Sequence, residues 1–130
     1  MLDYPEFIKE SQKNGLENTL RLFYGVYHAI CTNNDDPDKQ GRIKLKIPQI
    51  SGDQALDVWA YPIATAGNNA GFLAVPSVGD GVWVSFENGN PRFPQYNGGW
   101  WARPEGESEI PDEAKDDYPD VEIWKSKELY

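Results

Sequence analysis

One short alternating segment constrains the fold of this chain more than any other feature. Between Gly41 and Pro48, apolar and basic residues follow each other strictly. The apolar members are Ile43, Leu45 and Ile47, and the basic members are Arg42, Lys44 and Lys46. Because successive side chains of a strand point to opposite faces, this pattern predicts a strand with one buried face and one solvent-facing face. Pro48 ends the strand because it lacks the N–H that a ladder needs.

Four more segments have the aromatic and β-branched composition of strands. They cover residues 22–31, 56–62, 82–87 and 92–101, and a shorter strand or edge piece is expected at 72–76. Turn clusters separate them at 33–38, 49–54, 65–71, 78–81 and 88–91. Within the last strand, Pro94 and the Gly98-Gly99 pair predict a bulge or a bend.

This order of elements predicts an all-β domain. Five strands joined by tight turns favour a small five-stranded antiparallel Greek-key barrel, the OB-fold, because a closed barrel leaves no exposed edges. The barrel is expected over residues 22–104, after an N-terminal segment, 1–21, that contains short helical stretches. Residues 105–130 are predicted to form an extended acidic linker, in which the alternating segment 121–125 begins a further strand.

The negative charge of the chain is concentrated in its C-terminal part. Residues 105–130 hold ten acidic residues and three lysines, whereas residues 1–104 hold eleven acidic and nine basic residues. A nearly neutral barrel beside an acidic segment is a poor electrostatic match for a phosphate backbone, so no nucleic-acid partner is expected. The sequence also lacks a run of ~18 apolar residues and a signal-peptide pattern, which predicts a cytosolic protein without stable membrane association.

The sequence contains no recognisable catalytic or metal-binding constellation. His28 lies in the first strand, and Cys31, expected to be a buried structural thiol, points to the other face, so the two cannot share a metal ion. Three serines have no nucleophile elbow around them: Ser51, Ser77 and Ser85. Three aspartates lie in a turn that lacks calcium-loop spacing and is predicted to be solvated: Asp35, Asp36 and Asp38. We therefore expect no enzyme activity, no metal and no cofactor.

Aromatic residues are more numerous than one small core needs, with five tryptophans and seven tyrosines. Trp83 lies on the strand face opposite Val82 and Val84, and the adjacent Trp100 and Trp101 point opposite ways in a strand. Outward tryptophans are typical of partner surfaces, although packing beneath the linker or the N-terminal segment explains them equally well. For the basic residues of the alternating strand, a solvated or protein-facing surface is favoured over a nucleic-acid site.

Several strings, taken together, are similar to those of a known family. The two main ones are DPDKQGRIKLKIP at 36–48 and PSVGDGVWVSFENGNP at 76–91, and shorter ones lie at 24–27, 59–60 and 98–101. Over about residues 22–104 the chain resembles the OB-fold domain of the central spike of contractile injection machines. That group includes phage baseplate assembly protein V and the type VI secretion spikes.

The resemblance implies a mechanical role. Such a protein would be a homotrimer in the virion tail baseplate, assembled in the host cytoplasm, and would couple the hub ring to the membrane-piercing spike. Its partners would be the baseplate hub protein and a spike tip or β-helix. Residues 118–127 resemble the segment that leads into such a β-helix. The residues expected to contact these partners are Arg42, Lys44, Lys46, Trp83, Trp100 and Trp101.

Two other functions stay open from the sequence. An OB-fold that binds single-stranded nucleic acid would use the basic stripe together with stacking aromatics such as Trp59 and Tyr61. A small enzyme such as a cell-wall hydrolase is disfavoured because the chain shows neither a general base nor a nucleophile elbow.

Overall fold

The five main strands form one curled sheet. The computed structural model describes residues 22–127. Its regular elements are β1 (Tyr27–Asn33), β2 (Lys44–Lys46), the single-turn helix α1 (Pro48–Ser51), β3 (Tyr61–Pro62), β4 (Ala66–Gly67), β5 (Ala70–Gly71), β6 (Gly81–Phe86) and β7 (Pro94–Trp100). The order across the sheet is β2-β1-β6-β7-β3, while β4 and β5 pair as a separate hairpin. The helical stretches predicted for residues 1–21 lie outside the described residues.

The core lies inside the curl of the sheet. Each apolar residue of the alternating segment is fully buried, and each basic neighbour is half-buried, which confirms the predicted period of two. The buried cluster comprises Tyr27, Ala29, Cys31, Ile43, Leu45, Ile47, Ala60, Val82, Val84, Phe86 and Tyr96. His28 is exposed while Cys31 is buried, so these two side chains do lie on opposite faces of β1.

The sheet differs in two respects from the predicted closed antiparallel barrel. The short strand β3 pairs with β7 in parallel, whereas β1 pairs antiparallel with β2 and β6, and β6 with β7. The β2 edge meets the segment that leads into β3 at two isolated bridges, Ile43–Ala60 and Lys46–Ala55, and the reciprocal backbone N···O distances of the first are 3.0 and 2.7 Å. The result is an all-β, OB-like half-barrel whose edges are joined by isolated contacts rather than by a continuous ladder.

Several predicted elements differ in extent. The strand expected at 56–62 is regular only at Tyr61–Pro62. The chain after α1 does not form a continuous ladder with β2, because its backbone pairs with that strand and its lead-in at the isolated positions Ala55, Leu56 and Ala60. The loop expected at 65–71 contains the β4–β5 hairpin, and residues 72–76 contain no strand. The helix α1 takes up the first residues of the turn predicted at 49–54 and begins at Pro48, whose missing N–H is not needed there.

The turns follow the sequence closely. Asn88 and Gly89 both have positive φ, 51° and 73°, and the Asn90 N–H donates to the Glu87 carbonyl at 3.0 Å. These are the features of the tight turn that Asn-Gly favours between antiparallel strands. In β7, Gly98 is skipped in the pairing with β6 and has φ 63°, so the bulge predicted from the glycine pair is confirmed.

Residues 101–127 belong to a second compact unit of the chain. The sequence predicted an extended linker here. The structure instead contains short turns at Pro104–Gly106 and Asp112–Ala114, and Ala114 is buried. Residues 121–125 form no regular strand.

A buried hydroxyl ties the last strand to the turn before β2. Tyr96, in β7, is 5% exposed, and its Oη donates a short hydrogen bond to the carbonyl of Gly41. Burial raises the pKa of Tyr96 to about 12, with a smaller contribution from the nearby Cys31. The tyrosine therefore stays neutral, and able to donate, far above neutral pH.

We predict that Tyr96→Phe lowers the free energy of unfolding at pH 7 by about 1–3 kcal/mol, because the Gly41 carbonyl loses its buried donor. Urea denaturation measures this, with Tyr118→Phe, at an exposed tyrosine, as the control. The raised pKa means that the contribution of neutral Tyr96 is complete below about pH 10 and is lost as the pH rises to about 12. The variant should lack this alkaline loss, and equal stability of both tyrosine variants at pH 7 would contradict the prediction.

Candidate functional site

The six residues predicted to contact partners lie at three places. Arg42, Lys44 and Lys46 follow one another along the outer face of β2 and its lead-in, Trp83 and Trp100 lie on β6 and β7, and Trp101 begins the second unit.

Arg42 is held by a carboxylate that the sequence had placed in a solvated turn. The Asp36 side chain is only 4% exposed and that of Arg42 only 13%. Arg42 donates from Nε to Oδ2 of Asp36 at 2.9 Å and from Nη2 to Oδ1 at 2.6 Å, a bidentate ion pair. Asp36 also accepts the backbone N–H groups of Asp38 and Gln40, each at 2.9 Å. The solvated-turn prediction is therefore wrong for Asp36, whose burial is offset by these donors.

The same contacts fix the charge of Asp36. The hydrogen bonds from the Arg42 guanidinium hold the pKa of Asp36 well below its usual range, against the opposing effect of burial. Backbone N–H donors in the turn lower this pKa further. Asp36 is thus a carboxylate at any pH near neutrality, and it is a structural group rather than a proton donor.

The basic stripe is neutralised along its length. Lys44 Nζ lies 3.5 Å from Oδ1 of Asp57, and Lys46 Nζ lies 3.7 Å from Oδ1 of Asp53. Each of these lysines contacts an exposed carboxylate, so the pairs add little stability, but they reduce the positive field of the stripe. A phosphate backbone would have to displace these carboxylates, which weighs against a nucleic-acid site.

Two aromatic rings lie against the same cations. The Arg42 guanidinium carbon is 5.4 Å from the centre of the Trp59 ring and 5.5 Å from that of Tyr61. Lys44 Nζ approaches the Trp59 ring to 5.2 Å. Cations at these distances are attracted to the ring faces, so Arg42 orients both side chains.

Trp83 and Trp100 meet around the single histidine on the outer face of the sheet. The His28 ring centre lies 4.3 Å from that of Trp83 and 5.1 Å from that of Trp100. The Trp100 Nε1 donates to the carbonyl of Val82 at 3.0 Å, and its ring covers Gly81 so closely that a Cβ there would lie 2.4 Å from Cε2. These tryptophans are therefore half-buried and anchored, and they present a firm aromatic surface to solvent.

Trp101 belongs to a groove within the second unit. The groove has a volume of about 650 Å³ and is lined by Trp101, Ile110, Pro111, Ala114, Tyr118, Pro119, Val121, Glu122, Ile123, Trp124 and Lys125. Trp101 and Trp124 are 65% and 77% exposed. Exposed apolar side chains gathered in a concave surface are typical of protein contacts.

Residues 22–127 hold no group of three or more His, Cys, Asp or Glu side chains arranged for a metal ion. The ring of His28, the one histidine of the chain, packs against the indole rings of Trp83 and Trp100. In the same part of the chain, no helix has the length and apolar character to cross a bilayer.

Comparison with known proteins assigns the family. The sequence model of the type VI secretion system/phage-baseplate injector OB domain matches residues 27–101, from the first residue of β1 to just beyond β7. The chain belongs to this family. The resemblance inferred from the turn and strand strings is thereby confirmed, and the injector OB domain is a structural component of baseplates rather than a member of a known enzyme family. No curated protein matches the sequence.

Sequence reasoning found the outward-facing tryptophans Trp83 and Trp100 of the injector domain but missed the partners of its cations. Asp53 and Asp57 sit in loops, and nothing in a strand pattern connects them to Lys46 and Lys44. The Asp36–Arg42 pair had a local signal, because a turn that starts with Asp-Pro and ends in Gly-Arg brings the two side chains to one strand entrance. Whether the six predicted residues contact partners stays a prediction.

We predict that Asp36→Asn destabilises the injector OB domain at pH 7 and flattens its acid unfolding profile. Because the folded pKa of Asp36 is depressed, its contribution is complete above the unfolded pKa of about 4 and is lost as the pH falls below that value. Unfolding free energies measured from pH 7 to pH 2 check this. The exposed Asp38, which contacts the same guanidinium once, supplies the control Asp38→Asn. Parallel profiles for the Asp36 variant and the natural protein would refute the role given to this carboxylate.

We also predict that Gly81→Ala destabilises the domain by about 1–3 kcal/mol, because the new methyl group displaces the Trp100 ring. The double variant Gly81→Ala/Trp100→Ala should lose less than the sum of its single variants, since the clash is then absent. Denaturant unfolding of the cycle measures this, with Gly67→Ala, where a Cβ meets no atom within 4 Å, as the control. Strict additivity would show that the indole does not restrict this position.

Proposed function

We propose that the chain is a subunit of the central spike of a contractile phage tail, in which its barrel couples the hub ring to the piercing spike. The observation that carries this proposal is the family match, which spans the whole five-stranded sheet. The tail baseplate of the virion is then its site of action, after assembly in the host cytoplasm.

The cross-links of the sheet support a role in transmitting force. The Tyr96–Gly41 hydrogen bond and the Ile43–Ala60 bridge each join parts of the chain that are distant in the sequence, and the Asp36–Arg42 ion pair closes the turn that leads into β2. A close-packed core deforms little under load, so a push on one side of the barrel moves the other side. A stiff barrel of this kind can transmit force between the hub and the spike without any catalytic activity.

The exposed aromatic residues support partner contacts. The half-buried pair Trp83 and Trp100 on the barrel, and the exposed Trp101 in the second unit, present the side chains that are enriched at interfaces. We propose that these surfaces, together with the face of Arg42, Lys44 and Lys46, contact neighbouring copies, the hub protein and the spike tip or β-helix in a homotrimer.

Mass photometry and light scattering test the proposal. The chain, alone or mixed with its hub protein, should give a species that contains three copies, and Trp101→Ala should weaken that species more than Phe72→Ala, at an exposed aromatic residue outside the proposed interface. A chain that stays monomeric and never binds the hub protein would disprove the spike role.

A further inference from the structure

A separate groove lies on the barrel where Arg42 orients its two aromatic neighbours. Its volume is about 490 Å³, within the range of about 300–1,000 Å³ that is typical of ligand sites. It is lined by Arg42, Asp57, Val58, Trp59, Tyr61, Glu87, Arg92, Phe93, Pro94 and Gln95. These residues belong to the entrances of β2 and β3 and to the connection between β6 and β7. They are therefore brought together by the fold and not by sequence proximity.

The groove offers flat apolar surfaces in fixed positions. Tyr61 and Phe93 are 53% and 55% exposed, and Trp59 is half-buried. The Arg42 guanidinium lies against the rings of Trp59 and Tyr61 and is itself held by Asp36. Rings that are exposed yet oriented in advance lose little freedom when a flat ligand packs on them. The C–H face of a pyranose sugar is such a ligand.

Planar polar groups line the same groove. Glu87 supplies a carboxylate, Gln95 an amide and Arg92 a guanidinium, so acceptors and donors lie beside the aromatic rings. Sugar hydroxyls both donate and accept hydrogen bonds, and this mixed set satisfies both needs. A purely apolar peptide side chain would leave these polar groups without partners, at a cost in binding free energy.

The charge distribution of the domain favours an uncharged ligand over a polyanion. Residues 22–100 hold seven acidic and five basic residues. Three of those five cations, Arg42, Lys44 and Lys46, contact carboxylates. Single-stranded nucleic acid requires a groove with available positive charge along the backbone track. The pairing of these cations therefore favours a ligand without charge.

We propose that this groove binds a short stretch of an uncharged oligosaccharide chain. Small Greek-key barrels of this type take oligonucleotides and oligosaccharides on the face of their second and third strands and the adjoining loops, which is where this groove lies. The proposal adds glycan binding to the mechanical role and does not rest on it.

Titration of the full chain with chitohexaose and with cellohexaose tests the proposal. Calorimetry and the tryptophan fluorescence of the protein should show saturable binding of at least one of these uncharged hexasaccharides. Phe93→Ala and Tyr61→Ala should each weaken binding by about tenfold. Phe72→Ala, whose aromatic ring is 56% exposed but lies outside the groove, is the matched control and should bind as the natural chain does.

Three outcomes overturn the proposal: binding of neither hexasaccharide at millimolar concentration, equal binding by the Phe93 and Phe72 variants, or preferential binding of a dodecathymidylate at low salt. Circular dichroism establishes that each variant is folded before titration. The particle mass of the same samples separates this proposal from the spike role, because loss of glycan binding with a retained trimer refutes only the groove.

Discussion

A single buried carboxylate organises much of this domain. Asp36 accepts hydrogen bonds from backbone N–H groups of its own turn and from Nε and Nη2 of Arg42. Because Arg42 precedes β2, this ion pair fixes where the alternating strand β2 enters the sheet. The same guanidinium then orients Trp59 and Tyr61 on the outer surface. Turn, strand entrance and aromatic groove therefore depend on one charge, whose burial is tolerated only because each of its lone pairs has a donor.

The sequence predicted the elements whose signals are local. Strict alternation around Leu45 identified the buried face of β2, and Asn88-Gly89 and Gly98 identified a turn and a bulge through their backbone preferences. The turn strings also identified the family, since these residues are dictated by the path of the backbone. What could be predicted was the order of strands and the class of fold.

The features that the sequence did not reveal depend on distant pairing. The parallel alignment of β3 with β7 and the bridge from Ile43 to Ala60 are set by how the sheet curls, not by a local pattern. The burial of Asp36 was missed because turn composition predicts solvent exposure. Glu87 and Gln95 reach the candidate groove from a loop and a strand that have no groove signature of their own.

The reactivity of the Cys31 thiol reports on local opening of the fold. Cys31 is the only cysteine of the chain, it is 1% exposed, and it faces Leu45 across the β1–β2 ladder. A thiol reagent in solvent can reach the sulfur only when these two strands separate or the core swells. The rate of thiol modification therefore measures the frequency of local opening at the strand entrance that Asp36 secures. A domain whose fold stays closed under load would show a slow rate of modification at this thiol.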